Sequence, residues 1–208
     1  MKRIIPPTTP AQYLTSTRWD RTKRISKLLG WLGGAPSDDL SKALQDWMLS
    51  AVARAMVPGC RADRTLILSG PPRMDKTASL EELGGLHLGR ICSFERSSLP
   101  VLSESLIVEY AGPGRIEDLK LSLAATRDTY RPLYQRKEVT VARTCVFAMT
   151  TNEDVRPDHL SRRLVVVPVV RPAKVDKIRE NRDQLWAEAF RVWERQPAVK
   201  SKVYSSHS

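Results

Sequence analysis

The stretch "LILSGPPRMDKTASL", Leu66–Leu80, decides how the rest of the chain is read. A short apolar strand runs into Gly70, and Lys76 and Thr77 follow where a phosphate-binding loop would end in a lysine and a hydroxyl. In such a loop consecutive backbone N–H groups face one anion. Glycines allow the close approach, and the next helix adds its positive end. The lysine reaches the outer phosphates and the hydroxyl holds Mg²⁺. Asp75 stands where a second glycine is expected. Its carboxylate repels phosphate, and its side chain strains a tight turn. Alone, the stretch fits a nucleotide site, a damaged one, or an ordinary strand–loop–helix turn.

Outward from the loop, strands and helices alternate. "TLILS" (Thr65–Ser69) reads as a buried strand and Lys76 to about Leu83 as a helix. "SLIVEY" (Ser105–Tyr110), "TCVFAMTT" (Thr144–Thr151) and "RLVVVPVV" (Arg163–Val170) read as further strands, Pro168 placing the last at an edge or a bulge. "RIEDLKLSLAATR" (Arg115–Arg127) and "DKIRENRDQLWAEAFRVWE" (Asp176–Glu194) read as helices. So does Asp38–Met56, whose apolar residues fall on one face, with Asp38 or Asp39 as N-cap and Pro58 and Gly59 as the stop. Continuous apolar strands separated by helices predict an α/β fold with a mostly parallel, helix-flanked sheet. The expected division is a basic, partly flexible arm at 1–37, a domain at 38–196 and a flexible tail at 197–208.

At 208 residues, 41% hydrophobic and 27% charged, the chain reads as soluble and globular. The longest apolar run, Leu164–Val170, is too short to cross a bilayer, and the N-terminus lacks the apolar core of a signal peptide. Cys60, Cys92 and Cys145 suit neither a disulfide framework nor a zinc site, so a reducing cytoplasm is expected. His87, His159 and His207 lack metal-like spacing and read as surface residues. Thirty-four Lys and Arg against 23 Asp and Glu leave a net charge of +11, which favours a polyanionic partner such as nucleic acid.

Several blocks then occur in one order. They are "AVARAMVPGCRADRTLILSGPP" (Ala51–Pro72), "LIVEYAG" (Leu106–Gly112), "RDTYRPLYQRKEVTVARTCVFAMTTN" (Arg127–Asn152), "RRLVVVPV" (Arg162–Val169) and "RDQLWAEAF" (Arg182–Phe190). Together they resemble the virulence-associated E family, phage- and island-encoded P-loop NTPases related to superfamily 3 helicases and AAA+ ATPases. The resemblance covers about Asp38–Glu194. It implies a P-loop NTPase fold, with Gly70, Pro71, Asp75, Lys76 and Thr77 at the phosphate-loop positions. Glu109 would polarise water or, with Thr77, hold Mg²⁺, and Asn152 would sense the γ-phosphate; read from the residues alone, Glu109 could equally pair with a neighbouring Lys or Arg and Asn152 cap the next turn. Arg162 or Arg163 would complete a site, in one reading across a subunit interface. Arg131, Tyr134 and Arg143 fall in the distinctive block as nucleic-acid contacts or a structural cluster. The family also implies ATP and Mg²⁺, single-stranded or replication-origin DNA, a homo-oligomer or ring, no membrane, and the cytoplasm of a bacterial host.

Two departures oppose full activity. The family loop is Gly-Pro-Gln-Gly-x-Gly-Lys-Ser/Thr, and Arg73 and Asp75 replace two of its glycines. The acidic strand usually carries a second carboxylate three residues on, where this chain has Gly112. The expectation is therefore a nucleic-acid-associated, ATPase-like protein of a phage or mobile element with weakened or absent turnover. The alternatives are a non-catalytic DNA-binding or assembly module and an adaptor to a host replication protein.

Overall fold

A computed structural model of the chain describes residues 9–62, 64–112, 124–132, 136–155 and 163–196. Tyr134, Arg162, His159, His207, the tail and all but the last residues of the expected helix at 115–127 lie outside these.

Strand β1 (Thr65–Ser69) is buried at all five positions, as a continuous apolar strand should be when both its faces are covered. It lies between β6 (Val146–Thr151) and β7 (Leu164–Pro168), parallel to both, with Ser69 level with Thr151 and Pro168. Strand β3 (Ile107–Tyr110) pairs on the far side of β6, and β2 (Leu88–Ile91) pairs with β3, all parallel. The resulting order, β2-β3-β6-β1-β7, makes β7 an edge strand, where Pro168 costs no ladder bond. It also inserts β6 between the loop strand and the acidic strand.

Successive side chains leave opposite faces of the sheet. Leu66, Leu68, Val146, Ala148 and Ile107 join the main core, whereas Phe147, Val108 and Tyr110 join a smaller cluster on the other face with Ile91, Leu99 and Leu102. The main core is closed by α3 (Asp38–Met56), α4 (Lys76–Gly84) and α5 (Val175–Glu194). Trp47 and Trp186 fill its centre, their ring N–H groups donating to Phe147 O at 3.1 Å and Leu83 O at 2.9 Å. The N-cap of α3 is Ser37, whose hydroxyl accepts from Leu40 N at 3.3 Å; Asp38 and Asp39 occupy the first turn, where they complement the helix dipole.

Ser37 thus replaces Asp38 or Asp39 as the expected cap, and three further expectations are corrected. Residues 9–37 are no loose arm: α1 (Pro10–Ser16) and α2 (Ile25–Trp31) bury Leu14, Ile25, Leu28 and Leu29 in the main core. Helix α1 starts at a reciprocal cap between Thr9 and Gln12 with Pro10 in its first turn, so the residues that suggested a flexible leader specify a helix start. Arg127 does not end a helix; it opens an antiparallel hairpin of β4 (Arg127–Tyr130) and β5 (Val139–Ala142). His87 is 7% exposed and packs on the Tyr13 ring at 4.7 Å, and burial together with Arg182 lowers its pKa.

Candidate nucleotide site

The parallel sheet brings the carboxyl ends of β1, β3 and β6 to one rim, where ligands of open α/β sheets bind. Gly70 follows β1 directly. A Cβ there would lie 2.5 Å from Val169 O, so only glycine lets the chain turn off the sheet at this point. The loop then wraps a cavity of about 480 Å³, lined by residues 72–78 and by Thr150, Thr151 and Asn152.

Arg73 and Asp75 take φ values of 64° and 54°, the left-handed region that glycine occupies freely. The loop thus keeps a glycine-type path without the glycines, at a cost of roughly 1–2 kcal/mol per residue. Asp75 precedes α4 but makes no side-chain cap, so the first-turn N–H groups of α4 stay available to an anion at the cavity. Its exposed carboxylate stands beside that position.

Lys76 is 7% exposed, and its three donors are all engaged. Nζ donates to Pro71 O at 2.6 Å, Gly70 O at 2.7 Å and Asn152 Oδ1 at 3.0 Å. Burial pulls its ammonium below the usual lysine range. Thr77 Oγ1 lies 3.4 Å from Thr150 Oγ1, which lies 3.5 Å from Glu109 Oε1. A row of oxygens therefore runs from the loop to the acidic strand. Glu109 is 2% exposed, and its other oxygen is held by Arg90, at 2.8 Å from Nε and 2.7 Å from the terminal nitrogen. Arg90 stands level with Glu109 on β2 and also reaches Glu81 on α4 at 2.9 Å.

The fold thus brings Gly70, Pro71, Asp75, Lys76, Thr77, Glu109 and Asn152 to one rim. Thr150 and Arg90, which the sequence did not single out, complete the set. Thr77 is exposed at the cavity, and its hydroxyl is an oxygen donor of the kind that Mg²⁺ takes. Among the described residues no cluster of three His, Cys, Asp or Glu offers the protein a metal site of its own. At Gly112, where the family's second acid would stand, this backbone has no room for a side chain: a Cβ there would lie 1.8 Å from Cys92 O.

Other named residues lie elsewhere. Arg163 is exposed and precedes β7, its carbonyl accepting from Thr65 N at 2.8 Å. It sits at the amino end of the strands, on the order of 20 Å along β1 from Gly70, so it does not reach the phosphate loop of its own chain. Arg131 is exposed just after β4. Arg143 is no nucleic-acid contact. Its side chain is 2% exposed, both Asp128 oxygens accept from it at 2.6 Å, and its guanidinium lies 5.6 and 5.5 Å from the Phe94 and Phe147 rings. It fastens the hairpin to the sheet.

Residues 14–207 match the family described as the virulence-associated protein E-like domain. Comparison with curated proteins gives no match. Among solved structures, the apo A form of the NrS-1 C-terminal region superposes with a TM-score of 0.57 at 17% identity, over 98% of this chain and 55% of that one. A second structure of that region gives 0.57 and 17% over 94% and 53%. The chain spans about half the length of the region it matches, and at this identity the likeness is one of fold.

Proposed function

Because the chain belongs to the virulence-associated protein E-like domain family, we propose that it is a nucleic-acid-associated, ATPase-like module of a phage or other mobile element. It is related to replication helicases and initiators, and its ATP turnover is weakened or lost. The carrying observation is that the loop keeps a glycine-type path at Arg73 and Asp75 while neighbouring groups satisfy the charges around it: Lys76 by two loop carbonyls and Asn152, Glu109 by Arg90.

With ATP in the cavity, Lys76 exchanges those carbonyls for outer phosphate oxygens, and the α4 amides hold a further oxygen. Thr77 would hold Mg²⁺ by its hydroxyl, and the ion would neutralise phosphate charge. Asn152 orients the terminal phosphate, and Glu109 orients the attacking water once Arg90 lets go. Asp75 and the Arg90 contact both oppose this sequence. Arg163 acts only on a neighbouring protomer's site, so turnover would require a homo-oligomer. DNA, single-stranded or at an origin, is the proposed partner, and a bacterial cytoplasm the proposed setting. In support, Arg127, Arg131, Arg136 and Lys137 are exposed on the hairpin of a chain with net charge +11.

A second reading, a non-catalytic DNA-binding, assembly or adaptor module, is favoured by Gly112, where packing leaves no room for the second acid. Phosphate release from Mg-ATP, with and without DNA, separates the two. Slow, DNA-stimulated release that Lys76→Met abolishes fits the first with turnover weakened and excludes the second; none under any condition, with DNA binding intact, means turnover is lost and leaves the non-catalytic module. Rapid release without DNA would contradict both.

A further inference from the structure

Charge that the nucleotide site does not use is concentrated on the turn joining α1 to α2. From Arg18 to Lys27 the sequence holds five cations, Arg18, Arg21, Lys23, Arg24 and Lys27, against one acid, Asp20. That acid is committed to Arg24 by two bonds of 2.7 Å, one to each oxygen. Arg18, Arg21, Lys23 and Lys27 remain exposed, with no carboxylate partner among the described residues.

A run of surface cations is ordinarily just solvated. Here the backbone beneath them is fixed. Asp20 N donates to Gln184 Oε1 at 2.9 Å, and Gln184 Nε2 donates back to Arg18 O at 3.2 Å. Within the turn, Thr22 N donates to Asp20 Oδ1 at 2.8 Å and Trp19 Nε1 to Thr22 O at 3.1 Å. Arg24 Nε donates to Asn181 Oδ1 at 2.8 Å. The backbone N–H groups of Arg24 and Ile25 both donate to Glu188, which is only 5% exposed. A buried carboxylate is costly to desolvate, and the two amide donors, with the Arg24 charge nearby, offset that cost and fix the turn. Arg21, at the apex, has φ 70°, a left-handed conformation that an exposed arginine holds only when its surroundings impose it.

Four exposed cations on a fixed backbone meet a polyanion without the cost of ordering the main chain. The one aromatic of the turn, Trp19, is half-buried with its N–H already committed, so the surface offers charge rather than base recognition. We propose that the α1–α2 turn is a second nucleic-acid surface, separate from the hairpin, that contacts backbone phosphates without reading sequence. This rests on the nucleic-acid partner proposed above and adds where the strand runs.

The test is the salt dependence of binding to a fluorescently labelled duplex and to a labelled oligo-dT, by anisotropy. Each phosphate neutralised contributes about 0.9 to the slope of log K against log salt for duplex and about 0.7 for single strands. Arg18→Gln/Arg21→Gln/Lys23→Gln/Lys27→Gln should lower the slope by about 3 while the melting temperature holds. Arg18→Lys/Arg21→Lys, which keeps the charge and the fold, should leave the slope unchanged. A parent-like slope in the glutamine variant overturns the proposal, and the function reading stands if Arg127→Gln/Arg131→Gln/Arg136→Gln/Lys137→Gln then lowers it. A parent chain that binds neither probe overturns both.

Discussion

Arg143→Met isolates the difference between a buried fastener and a ligand contact. The side chains of Arg143 and Asp128 are 2% and 8% exposed, and both carboxylate oxygens accept from the guanidinium at 2.6 Å. Removing one partner leaves Asp128 as a buried charge without its counter-ion. Such a break costs about 3–5 kcal/mol, and the lost stacking on Phe94 and Phe147 adds about 0.5–1 kcal/mol. For a chain of this size each kcal/mol moves the melting temperature by about 2–4 °C. Arg143→Met should therefore melt roughly 7–24 °C below the parent by circular dichroism. Asp128→Leu/Arg143→Met, apolar on both sides, should recover most of the loss, because a buried pair contributes little over well-packed hydrophobic residues. DNA affinity per folded molecule should not change. An Arg143→Met protein that melts like the parent but loses DNA binding would refute the reasoning.

The same contact logic gives three further outcomes. Arg90→Gln frees Glu109 at 2% exposure and should cost about 1–2 kcal/mol, discounted because Arg90 is half-exposed; millimolar Mg²⁺ should raise this variant's melting temperature and leave the parent's unchanged. Asp20 is held down to a pKa of about 2, first by the Arg24 hydrogen bond and then by Thr22 N–H. Its folded value lies below the unfolded value of about 3.9, so its stabilising contribution is present above that value and is lost as pH falls toward 2. A carboxyl NMR titration should show this midpoint, and Arg24→Gln should return it toward the unfolded value. Of the three free thiols only Cys92 is exposed, and burial pushes Cys145 up to about 12. A thiol reagent at pH 8 should label one site rapidly in the folded chain and all three in denaturant.

Where periodicity was long or the apolar run continuous, the sequence was a sufficient guide. The Asp38–Met56 helix has the expected bounds, and β1 is buried throughout. Lys76, Thr77, Glu109 and Asn152 could be named because the loop pattern and the family blocks mark them, although only the strand order brings them to one rim. What escaped notice was short or non-local. Strand β2 is four residues containing Gly89 and Arg90, too little for a period-2 pattern. Its contribution, Arg90 level with Glu109, exists only through strand pairing. Arg143 read as a contact because burial depends on Asp128, Phe94 and Phe147 meeting it in space. The first α-helix was hidden by prolines and threonines that serve as its start signal.

The proposed nucleotide site rests on the loop, which follows a glycine-type path at Arg73 and Asp75 while the Asp75 carboxylate lines the cavity. Titration calorimetry with Mg-ATP on the parent and on Arg73→Gly/Asp75→Gly tests this most directly. Both substitutions place glycine where φ is already 64° and 54°, so the fold is kept and the carboxylate leaves the cavity. Weak or no heat is expected from the parent and measurable 1:1 binding from the double variant, abolished by adding Lys76→Met. Equal, tight binding by parent and variant would contradict this reading of the site, as would no binding by the variant.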